Sequence, residues 1–177
     1  MRRRSVLLLL LVPALAGSTY RPVTLAEQVR AADAVVVGRI VGRRSLEADE
    51  GRRLFTVLEV EVQEVVAGTI APRFELLLPG GDLAGRSQRV AGLALPAVGE
   101  VLALVLRRRP PAAAQWYEPV LYGLSIWRLE DGRLRRRLEG IEFVTIPGGP
   151  DPAALAGESD LDPGAFRRQV EEAWTGR

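Results

Sequence analysis

The sequence predicts a mainly β protein: a closed or partly open antiparallel barrel, with a short helix before it and a second helix after it. Three observations predict this. Six to eight short apolar stretches, several rich in β-branched residues, recur along the chain with turn residues between them. Strand and helix patterns do not alternate as they do in parallel βαβ units. Helical signals are confined to the two ends.

Met1 to Arg4 carry three arginines, Val6 to Val12 is an unbroken apolar run, and Pro13-Ala14-Leu15-Ala16 closes the segment on small residues. These are the three parts of a secretory signal peptide, so residues 1–16 are expected to be removed by cleavage between Ala16 and Gly17. The apolar run is too short to cross a bilayer core of about 30 Å, and no later stretch is long enough. No membrane span is expected after cleavage, and the mature protein is expected in the periplasm or outside the cell. Residues 17–146 are assigned to the barrel, 147–162 to a Gly/Pro-rich linker and 163–177 to the terminal helix.

Thr24-Leu25-Ala26-Glu27 has the spacing of a capping box for a helix running to about Ala32. Ala34 to Val41 is continuously apolar, as in a strand buried on both faces or bent at Gly38. Arg43 to Arg53 is charged and is expected to be turn-like. Leu54 to Val66 alternates over Val60-Glu61-Val62-Gln63, which predicts a strand with glutamates on its wet face. Phe74–Leu78, Val101–Leu106, Gln115–Leu121 and Leu124–Glu130 follow as strands. Asp131-Gly132 has the composition of a two-residue hairpin turn, with Arg133–Leu138 returning and Ile141–Ile146 as a last short strand. Asp162-Pro163 reads as cap and first residue of the terminal helix, whose Phe166, Val170 and Trp174 share one face and are expected to dock on the barrel.

Composition excludes several chemistries. The chain has no cysteine and no histidine. It therefore has no Ser-His-Asp or Cys-His nucleophile system, no thiolate or imidazole metal site and no disulfide. No metal or other cofactor is expected. The 24 basic residues, all arginine, face 22 acidic ones. Loss of three arginines with the leader leaves 21 against 22, a net charge of −1. Such a balance gives no electrostatic reason to expect nucleic acid as partner.

Gly80 to Ser87 spells G-x-x-x-x-G-R-S, one substitution from a phosphate-binding loop. Its context argues against nucleotide binding. Gly92 and Pro96 interrupt the region where a helix should follow, and Val101–Leu106 ends in three arginines rather than an aspartate. A glycine-rich turn between strands is expected instead.

"ADAVVVGRI", "FTVLEV", "VVAGT", "LPGG", "VGEVLALVL" and "YGLSIWRLEDG" occur in an order that resembles a group of small exported bacterial proteins of undefined function, over most of Arg21 to Phe143. The first three are also similar to the start of netrin-like domains, the OB-type barrels of tissue inhibitors of metalloproteinases. This resemblance implies an OB-like, partly open barrel and an inhibitor-like binding role. Those inhibitors chelate zinc through an amino-terminal cysteine held by disulfides, which this chain lacks.

Arg86, Gln88 and Arg89 lie in a long loop where barrels carry binding groups, and arginine forks suit carboxylates. Solvated surface ion pairs explain them more simply. Trp116 and Tyr117 could present aromatic surface or pack in the core. Arg133, Arg135, Arg136 and Arg137 suit a charged strand edge that blocks aggregation. Glu59 with Glu61, or Glu171 with Glu172, could serve as acid and base or merely be solvated. The resulting expectation is an exported, non-enzymatic interaction module that binds a protein or peptide, with Arg86, Gln88, Arg89, Trp116 and Tyr117 as candidate contacts. An oligosaccharide or polyanion ligand is the alternative, and a carboxylate-dependent hydrolase the third.

Overall fold

The computed structural model describes residues 18–109, 116–143, 155 and 158–176. The expected signal segment with Ala16 and Gly17, Pro110–Gln115, Val144–Ile146 and most of the expected linker lie outside these residues. No helix among the described residues is long and apolar enough to cross a membrane.

Strand β1 (Ser18–Tyr20) leads to helix α1 (Leu25–Arg30). The expected capping box is present: Thr24 Oγ1 accepts from Glu27 N, and Glu27 Oε2 accepts from Thr24 N at 2.9 Å. Strands β2 (Ala34–Ala48) and β3 (Arg53–Gly68) form a long hairpin. Next come β4 (Arg73–Pro79), β5 (Gly81–Leu83), β6 (Arg86–Gln88), β7 (Val101–Arg108) and β8 (Trp116–Pro119). A 3₁₀ turn at Tyr122–Ser125 precedes β9 (Ile126–Glu130), β10 (Arg133–Arg136), β11 (Ile141–Phe143), β12 (Asp160–Leu161) and helix α2 (Pro163–Thr175).

Eight of these strands join one sheet in the order β12-β10-β9-β7-β2-β3-β4-β8, and β7 also pairs with β8. The sheet is thus partly ring-like, since β2, β3, β4, β8 and β7 pair in a circuit. An antiparallel arrangement throughout was the expectation, and the sheet is mixed instead. The reason is geometric: strand direction cannot alternate all the way round an odd-numbered circuit, so one joint must be parallel. That joint is β4 with β8. The small β1–β11 pair is also parallel.

Side chains alternate between the two faces of each strand. Leu102, Leu104 and Leu106 join Val36, Ile40, Leu58, Val60, Leu76 and Leu78 in one core. Ala103 and Val105 join Val35, Leu25, Val29, Trp127, Phe166 and Val170 in a second core beneath the helices. Burial on both faces explains why β7 and the first half of β2 are continuously apolar. Gly38 marks one of three register shifts between β2 and β3.

Three expectations are corrected. Arg43–Arg53 is not a turn: Arg43–Ala48 continues β2 and pairs with β3 as far as Ala48↔Arg53, leaving only Asp49–Arg52 as the reversal. Its charges hid the strand because they are matched laterally, Arg44 by Glu75 at 2.7 Å and Glu47 by Arg86 at 2.6 Å. The end of the linker is strand β12, which covers β10 and buries Leu161. Consequently β10 is no free edge: Arg133 and Arg135 pair with Asp160, Arg137 pairs with Glu130, and Arg136 is buried. Finally, Leu124 and Ser125 belong to the 3₁₀ turn rather than to β9.

Buried Arg136 has its guanidinium 4.9 Å from the Trp127 ring centroid and donates to the carbonyls of Leu124 and Leu155. Burial lowers its pKa to about 10, so it stays charged at neutral pH. Glu158 approaches it at 3.9 Å and also accepts from Leu25 N. The segment before β12 therefore ties α1 to the sheet.

Helix α2 docks as its stripe predicts, with Phe166 and Val170 fully buried and Trp174 half-buried against the second core. Arg167 anchors it to β3 by donating twice to Glu64, each at 2.6 Å. This fork holds the Glu64 carboxyl below the ordinary glutamate range. The unfolded chain therefore binds the Glu64 proton more tightly than the folded one. The stabilisation is present in full above about pH 4.3 and is lost as pH falls through the lower folded value. The protection factors of the α2 amides should fall over that acid window, and Glu64→Gln should remove this step while leaving protection at neutral pH already lowered.

Candidate functional site

The tip of the β2–β3 hairpin, the end of β4 and the β7–β8 pair converge on a cleft of about 420 Å³. Its lining residues are Arg53, Leu54, Phe55, Pro79, Gln88, Arg109, Glu118 and Tyr122. Register explains the convergence. Phe55 pairs with Pro79 across β3–β4, and β7 pairs with β8 from Leu106↔Pro119 to Arg108↔Tyr117.

Phe55 is the centre of the floor. The guanidiniums of Arg53 and Arg109 lie over its ring, 5.7 and 5.6 Å from the centroid. Such cation–π contacts tie both positive heads to one ring at a modest energy, about 0.5–1 kcal/mol each at exposed sites. Arg53 Nε donates to Asp49, and the side chain keeps 58% of its surface exposed. Arg109 Nη1 lies 3.4 Å from Glu118 Oε2, while Glu118 Oε1 accepts from Arg107 Nε at 2.7 Å.

Tyr122 forms one wall at 40% exposure and has φ +41°, a left-handed conformation that costs a non-glycine residue roughly 1–2 kcal/mol. Its neighbour Gly123 makes this possible. A Cβ at Gly123 would overlap the carbonyl oxygen of Gly92, so the 3₁₀ turn and the Gly92 loop are in backbone contact.

The candidate residues from the sequence are dispersed rather than gathered. Gln88 lines the cleft, and its Oε1 accepts from Leu54 N at 2.7 Å. Arg86 is bound to Glu47 and to the Gly51 carbonyl, so it fastens the hairpin tip instead. Arg89 pairs with Asp82, whose carboxyl is held below the ordinary range by hydrogen bonds from Ser87 and Arg89. Trp116 donates to Glu75 and packs on the outer cluster of Phe55, Val57 and Leu77. Tyr117 is in the core, with its ring edge-on to Phe74 at 5.2 Å and its hydroxyl accepting from Arg108.

The glycine-rich stretch forms the small β5–β6 hairpin, with Ala84 and Gly85 at positive φ in its turn. Glu59 and Glu61 are both within reach of Arg73, at 3.6 and 2.8 Å, and Glu171 and Glu172 are exposed on α2.

Sequence reasoning missed Arg53, Phe55, Arg109, Glu118 and Tyr122. Their only local signals are an arginine at a strand start, the end of an arginine run and a tyrosine before a glycine. The arrangement can bind an anionic group beside an apolar one, because cationic forks stand over a floor of Phe55 and Pro79. Comparison with protein-family models, with curated proteins and with solved structures finds no match for the chain.

Proposed function

We propose that the chain is an exported, non-catalytic interaction module on an OB-like barrel, and that it binds a segment of a protein or peptide in the cleft over Phe55. The pairing circuit with its parallel β4–β8 joint supports the OB-like reading. OB barrels place ligands on the face of their second and third strands and on the adjoining loops. Here β3, β4 and the ends of β7 and β8 supply the cleft in the same way. The netrin-like resemblance adds an inhibitor-like role, achieved without the cysteine chelation its relatives use.

The observation that carries the proposal is that donors from separate elements and an apolar floor line one cleft of about 420 Å³, within the range of about 300–1,000 Å³ usual for ligand clefts. Panning a random-peptide display library on the immobilised full chain tests it. Enriched peptides should lose binding to Tyr122→Gly, which removes a wall while relaxing the backbone. Enriched peptides indifferent to that change, or no enrichment over an unrelated domain, would overturn the reading. Sulfated or uronic polysaccharide binding, steeply weakened by salt, would assign the site to polyanions.

A further inference from the structure

The charges around the cleft add up unevenly. Arg53, Arg107 and Arg109 face Asp49 and Glu118, three positive groups against two negative, which leaves one positive charge. Glu118 is divided between Arg107 and Arg109, so its carboxylate cannot neutralise both. The longer of its two contacts, 3.4 Å, is the one to Arg109, which lines the cleft with Arg53.

Other donors point the same way. Gln88 uses its amide oxygen on Leu54 N, so the half of the carboxamide left to serve a ligand is the NH₂ group. Tyr122 lines the same cleft and is 40% exposed. Donors therefore outnumber acceptors in the lining, and beneath them are Phe55 and Pro79.

A polyanion would need several uncompensated cations in a row, and the cleft offers one. A wholly apolar ligand would leave a guanidinium without a partner. The residue set instead matches a single carboxylate attached to an apolar group.

We infer that the cleft recognises a peptide segment carrying one carboxylate, from an acidic side chain or from a chain terminus, next to an apolar residue. This rests on the peptide-binding reading above and specifies what that site selects. Arg53 and Arg109 hold the carboxylate, Gln88 and Tyr122 position it, and the apolar neighbour lies on the floor.

An array of apolar pentapeptides in four forms tests this: a central Glu, a central Gln, a free carboxyl terminus, and the same terminus amidated, with oligo-aspartate alongside. The full chain should bind one of the two carboxylate forms at least about tenfold more tightly than its neutral counterpart, as expected for a charge-assisted hydrogen bond. Whichever form wins identifies the source. Arg53→Ala and Arg109→Ala should each erase the preference, and Arg109→Lys should restore part of it. Both arginines are partly exposed, so all three variants should still melt cooperatively, within about 5 °C of the wild type.

Equal binding of charged and neutral forms would defeat the carboxylate inference and leave the peptide site standing. No binding to any pentapeptide, together with failed panning, would defeat both. Preference for oligo-aspartate over every single-carboxylate form would also overturn the inference.

Discussion

Trp127→Ala is expected to lower the unfolding free energy by about 3–5 kcal/mol, the usual cost of emptying a large aromatic from a core. Trp127 is fully buried on β9 and touches four different parts of the fold. Its ring is edge-on to Phe166 of α2 at 5.3 Å, and it carries the buried Arg136 guanidinium at 4.9 Å. Its Nε1 donates to the Glu158 carbonyl at 3.3 Å, and its backbone register is set opposite Ala103 of β7. The substitution therefore opens a void, loosens the terminal helix and takes the aromatic partner from a cation that cannot reach water. Urea unfolding checks the magnitude. A double-mutant cycle with Phe166→Leu should show coupling of about 0.5–1.5 kcal/mol. A loss below about 1 kcal/mol would mean that the helices add little to the sheet's stability.

Gly123→Ala should have the second largest effect, and its consequence reaches the cleft. The added methyl would meet the backbone carbonyl of Gly92, and a backbone cannot swing aside as a flexible side chain can. Overpacking of this kind costs about 1–3 kcal/mol. Relief requires the 3₁₀ turn or the Gly92 loop to move, and Tyr122 is the first residue of that turn. The variant should therefore lose thermal stability and peptide binding together. Tyr122→Gly, by contrast, should lose binding while melting at or above the wild-type temperature, because glycine accepts φ +41° without strain. If Gly123→Ala bound peptide as the wild type does, the wall would not depend on that backbone contact.

Much of the fold was legible because its signals are local. The capping box at Thr24, the Asp131-Gly132 reversal with φ of 51° and 75°, and the Phe166/Val170 stripe each state their structure within a few residues. The continuous apolar runs of β2 and β7 were informative for the same reason, since two-faced burial leaves no room for polar alternation. What escaped reading depends on partners remote in the chain. Arg43–Ala48 looks like a loop until Glu75, Asp82 and Arg86 are placed beside it. Arg136 is one arginine among four until Trp127 and Glu158 enclose it. The parallel joint follows from a count of strands around a circuit, which periodicity does not record. The cleft was least visible, because Phe55 acquires its meaning from Arg53 close by and from Arg109 and Tyr122 far along the sequence.

The β1–β11 ladder, in which Ser18 pairs with Ile141, has a bearing on how the molecule comes into being. A nascent polypeptide holding only its first hundred residues has neither a mate for its opening strand nor the Trp116–Pro119 segment that completes the circuit. Contacts so distant along the chain slow collapse into the finished form. During synthesis the β2–β3–β4 ladders can pair early, while the circuit stays open until its tail arrives.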